Sequence, residues 1–128
     1  MIRNMGRISR IHIDNQELVE LARDDSSRLI VLDTDKGYEL MLKYRDTLLE
    51  KFNFELLSEY GLTDMVNVFS YKNNHYTLCY DCDGGMVTLE TLPRTEEELN
   101  EYRKIAAFLQ NMHSSHAHSC FVPEKCCP

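Results

Sequence analysis

Residues 65–92 read MVNVFSYKNNHYTLCYDCDGGMVTLETL, and this stretch decides the fold. Its residues alternate in three runs, separated at Asn73-Asn74 and at Asp83-Gly84, pairs of the kind that tight hairpin turns favour. The pattern predicts a three-stranded antiparallel meander over about 65–92. With both turns used, Phe69 lies opposite Leu78 and Tyr71 opposite Tyr76. Leu78 then lies opposite Leu89 and Tyr80 opposite Val87. All of these share one face, because successive strand side chains point to opposite sides. The other face carries Val68, Ser70, Thr77, Cys79, Asp81, Met86, Thr88 and Glu90. One apolar and one mixed face is the pattern of a sheet covered on a single side.

What covers it is read from the flanks. Thr95 and Glu98 have capping-box spacing, and Glu96–Glu98 sit where the helix dipole favours negative charge. Leu99, Tyr102, Ile105, Ala106, Phe108 and Leu109 continue as an apolar stripe, which predicts a helix over about 95–112 packed on the meander. Upstream, Ile11-His12-Ile13 reads as a short strand. Asp14 with Glu17 also has capping-box spacing, and Leu18, Leu21 and Ala22 follow on one helical face, so a short helix is expected to end near Asp24-Asp25-Ser26. Leu29–Leu32 reads as a buried strand. Residues 38–60 fit a helix broken near Asn53 and stopped by Gly61, or a return strand after an Asp35-Lys36-Gly37 turn; strong helix formers favour the helix. The expected fold is α+β, an antiparallel sheet with helices mainly on one face, as a single domain over 1–112. Residues 113–128 form a His/Cys-rich tail.

At 128 residues, with 43% apolar and 27% charged, the chain can bury a core of its own. No apolar run approaches the length of a membrane span, and none follows the basic start, so no secretory leader is expected. That and the odd number of cysteines, five, point to a reducing cytoplasm. Twenty-one acids against fourteen bases give a charge of −7. Such a surface is a poor partner for free nucleic acid, whose binding needs cations to replace counterions. It suits a basic protein instead: a toxin, a nuclease or a nucleic-acid-binding protein.

The candidate partner-binding residues are Asp81, Asp83, Glu90, Tyr80 and Met86, carboxylates beside apolar side chains around one hairpin. On this reading the chain is a non-enzymatic inhibitor, immunity-type or adaptor protein. The metal alternative rests on the tail, HSSHAHSCFVPEKCCP, which holds three of the five histidines and three of the five cysteines. His116, His118, Cys120, Cys126 and Cys127 offer the imidazole and thiolate ligands that suit zinc or copper(I). Prenylation is not indicated, since its cysteine must stand fourth from the end, where Lys125 is. Cys79 and Cys82 spell CxxC, yet three residues along a strand separate Cα atoms by about 10 Å and a disulfide tolerates about 7 Å. The third reading is a small enzyme assembled from distant segments. No GxSxG, phosphate-binding glycine loop or HExxH marks one, and His75 and Cys79 stand about 13 Å apart along a strand.

Overall fold

The computed structural model describes residues 6–35, 37–61 and 64–121, with side chains through residue 112. Seven strands and two helices follow in the order β1 (Arg7–Ile13), β2 (Gln16–Ala22), β3 (Arg28–Asp33), α1 (Tyr38–Glu50), β4 (Glu55–Tyr60), β5 (Met65–Tyr71), β6 (Asn74–Asp81), β7 (Met86–Thr91) and α2 (Glu96–Phe121). The strands form one sheet in the order β1-β2-β3-β7-β6-β5-β4, every neighbour antiparallel. The first three make a meander. Helix α1 then carries the chain to the far edge, and β4–β7 return as a second meander that docks β7 beside β3. Both helices lie on one face, α2 against β1–β3 and α1 against β6. This is the expected α+β architecture.

The core lies between the sheet and this helical layer. Leu18, Ile30, Phe69, Leu78, Val87 and Leu89 are fully buried, facing Met41, Tyr44 and Leu48 of α1 and Tyr102, Ala106 and Leu109 of α2. Phe54 is the aromatic hub, stacked on Tyr71 at 4.3 Å and edge-on to Phe69 and Tyr76. Such pairs contribute about 0.5–1.5 kcal/mol each beyond area burial. The Tyr102 hydroxyl reaches the Leu89 carbonyl oxygen at 2.5 Å, tying α2 to the central strand. A carboxylate is enclosed in this layer beneath α2. Glu20 accepts two bonds from Arg103 (2.9 and 2.7 Å), with Arg28 at 3.8 Å.

Three local expectations are corrected. The helix expected after Asp14 is strand β2: Asp14 and Asn15 both take positive φ (51° and 66°), the geometry of a primed two-residue hairpin turn. Residues 38–60 divide, because Asn53 at φ 60° ends the helical path and Glu55–Tyr60 adds to the sheet edge. The first meander turn is Lys72-Asn73 rather than Asn73-Asn74, so Phe69 pairs with Tyr76 and Asn67 with Leu78. A slip of two residues leaves every side chain on its expected face, as period two requires. The second hairpin keeps its register, with Leu78 opposite Leu89 and Tyr80 opposite Val87. Helix α2 starts as expected, Thr95 Oγ1 accepting from Glu98 N at 3.1 Å, and its backbone continues past residue 112 to Phe121.

Candidate functional site

Four connections meet at one end of the sheet: the Asp14-Asn15 turn, the loop from β3 into α1, the β4–β5 loop and the turn Cys82–Gly85. Strand order and antiparallel pairing together bring them to the same end. Among the described residues, the charged side chains in these connections are all carboxylates: Asp14, Asp35, Asp64 and Asp83; Lys36 lies outside the described residues. Asp33 and Asp81 add two more at the strand ends.

Several of these carboxylates shape the loops that carry them. Asp33 Oδ2 accepts from the backbone N–H groups of Asp35 (3.0 Å) and Gly37 (3.1 Å). Asp81 Oδ1 accepts from Asp83 N at 3.1 Å, and Asp64 Oδ1 from Cys82 N at 3.0 Å, joining two connections that are distant in sequence. Gly37 stands at φ 64° beneath Tyr80, whose ring would meet an added Cβ at 3.1 Å. The close approach seats Tyr80 against Tyr38 with ring centroids 6.0 Å apart. Tyr38 remains 45% exposed, so an aromatic surface borders the carboxylates.

The expected partner-binding residues are only partly brought together. Asp81, Asp83 and Met86 gather at this end, with Met86 directly opposite Asp81. Tyr80 is there too, but it points to the helical side while Asp81 and Met86 point to the open face. Glu90 is elsewhere. It sits opposite Thr77, about 13 Å along β7 from Met86, and Arg23 pairs with its carboxylate. Asp14, Asp35, Asp64 and Tyr38 were not among the expected residues. Each is an ordinary turn or helix-start residue locally, and only the strand order makes them neighbours.

For the cysteines, Cys79 is half-buried on the open face and Cys82 is exposed in the turn, its Sγ 3.9 Å from Asp83 Oδ1. Burial, then the Asp64, Glu90 and Asp81 charges, push the Cys79 thiol up, which disfavours a nucleophilic thiolate. His75, Cys79 and Asp81 share a face but are strung along β6. Among the described residues, no group of three or more His, Cys, Asp or Glu is placed to hold a metal ion. The backbone of His116, His118 and Cys120 belongs to α2; their side chains, and all of Cys126 and Cys127, lie outside the described residues. No described helix is long and apolar enough to cross a membrane. No protein-family model, curated protein or solved structure matches this chain.

Proposed function

We propose that this chain is a non-enzymatic binding protein that engages a basic protein partner through the acidic end of its sheet, in the manner of a stoichiometric inhibitor or adaptor. The observation that carries the reading is the convergence of carboxylates of one sign on four separate connections, bordered by the Tyr38–Tyr80 pair. Several carboxylates are positioned by backbone N–H groups, so the array is held in place before any partner arrives, which lowers the ordering cost of binding. The aromatic margin supplies the apolar contact that charge alone lacks. The net charge of −7 works in the same direction, steering cationic surfaces toward the chain.

The test begins with affinity capture at low and high salt, followed by association kinetics with the captured protein. Reversing two exposed carboxylates, Asp35→Lys with Asp83→Lys, should slow association by about tenfold or more at low ionic strength and flatten its salt dependence. Glu50→Lys with Glu55→Lys makes the same change in net charge at the other end and should have a much smaller effect. Equal effects from both pairs would reduce the acidic end to a contribution of net charge and defeat the proposal.

A further inference from the structure

The helices cover one face of the sheet, and no described element covers the other. Across the centre of that open face run two cross-strand rows. The first is Arg10, Val19, Val31, Thr88, Cys79, Val66 and Tyr60, and the second runs from Ile8 through Leu21, Leu29, Glu90, Thr77 and Val68 to Ser58. The interior of both rows is aliphatic or small, and its single carboxylate, Glu90, already carries Arg23 as counterion. Ile8, at the edge, is 71% exposed. This is the composition of an inner face of a two-sheet sandwich.

We propose that this face packs against the same face of a second copy of the chain, about a two-fold axis that runs between the sheets perpendicular to the strands. Such an axis lays each strand over its own copy in reverse, so the two rows exchange. Val19 then sits over the second copy's Leu21, and Val31 over its Leu29. The flanking rows exchange as well, and one opposite-charge pair falls together there. Glu17, at the acidic end of β2, meets Arg23 just beyond the other end of that strand. Asp81, at the end of β6, meets His75 near the strand's start, and Met86 meets Leu92. Val19 with Leu21, Val31 with Leu29 and Val66 with Val68 are apolar matches and Glu17 with Arg23 is an opposite-charge match, whereas Arg10 falls on Ile8 and Glu90 on Thr88; the apolar centre supplies the self-complementarity an isologous contact requires.

The area is sufficient. Seven strands at about 4.8 Å spacing and about 20 Å length span about 600 Å2 per copy, or about 1,200 Å2 for the pair, the lower bound of a stable specific interface. Asp35 and Asp83 lie in connections beyond the strand ends rather than in the two central rows.

The test is sedimentation equilibrium of the full chain under reducing conditions, so that thiols do not link copies. The expected species has twice the 15.0 kDa chain mass. Val31→Lys places a cation at the centre of the contact and should weaken association by about tenfold or more while the circular dichroism spectrum holds. If that variant unfolds, Val19→Lys, at a more exposed position, is the one to read. The orientation is tested by Asp81→Lys, which should weaken the dimer, and by adding His75→Glu, which should restore it. A monomer at the highest soluble concentration, or a dimer indifferent to both lysine variants, overturns the proposal. A dimer weakened by Asp81→Lys but not restored by the second change rules out the reversed arrangement.

Discussion

Removing the carboxylate of Glu20 should be among the most damaging single changes available in this protein. The side chain is 4% exposed and sits under α2, where Arg103 binds both of its oxygens and Arg28 stands close by. Glu20→Ala leaves two guanidinium groups without that counter-charge in a largely enclosed layer. Breaking a buried pair by deleting one partner costs about 3–5 kcal/mol. Arg103 and Arg28 keep 22% and 23% of their side-chain surface in water, which recovers part of that loss. The expected cost is therefore about 2–4 kcal/mol, or about 10 °C in melting temperature for a domain of this size. Urea titration should show a lower midpoint with an unchanged slope. The apolar double replacement Glu20→Leu with Arg103→Met should recover most of the loss, because it removes the desolvation penalty together with the attraction. A cost for Glu20→Ala below about 0.5 kcal/mol, the range of ordinary surface changes, would refute the reasoning. A double variant as unstable as the two single losses added would refute it as well.

Three further outcomes are expected. Leu78→Ala, a fully buried side chain between Asn67 and Leu89, should cost about 2–5 kcal/mol, whereas Thr77→Ala on the open face should cost under about 1 kcal/mol; similar losses at both in a denaturant titration would contradict the assigned faces. Burial holds the phenols of Tyr44, Tyr76 and Tyr102 well above their ordinary 10.0, so the folded form keeps protons that the unfolded form releases, and stability should be complete below that value and fall as pH rises above it. Tyrosinate absorbance should therefore rise in two stages, the second coinciding with loss of structure, and a single early stage with the fold intact would contradict it. If the tail binds metal, zinc or copper(I) should bind stoichiometrically and raise the melting temperature of the intact chain, an effect lost on cutting after Met112; no thermal shift with either ion would set aside His116, His118, Cys120, Cys126 and Cys127 as ligands.

Much of the architecture was legible wherever two local signals agreed. Alternation through residues 65–92 assigned the two faces of β5–β7 correctly even though one turn was misplaced, because a slip of two residues does not change a side chain's face. Thr95 and Glu98 marked the start of α2 because cap and apolar stripe coincide there. The failures came where one local pattern serves two structures. Asp14-x-x-Glu17 before Leu18 and Leu21 fits a capped helix, but the same Asp14-Asn15 pair fits a primed turn. The sequence of residues 16–22 does not contain the partner strands that settle the choice.

Sequence by itself determined the alternation of faces, the amphipathic stripe of α2, the acidic balance and the identity of the turn-forming residues, since each depends on side chains within a few positions of one another. Tertiary structure alone decided that β7 docks beside β3, that Glu55–Tyr60 becomes an edge strand, and that Asp14, Asp35, Asp64 and Asp83 share one end of the sheet. Those outcomes rest on backbone hydrogen bonds between residues as far apart as Arg28 and Thr91, and such bonds leave no periodic trace in either segment. The Arg23 counterion of Glu90 belongs with them, since it comes from beyond β2, whereas the distance of Glu90 from Asp81 and Asp83 follows from the strand rise alone.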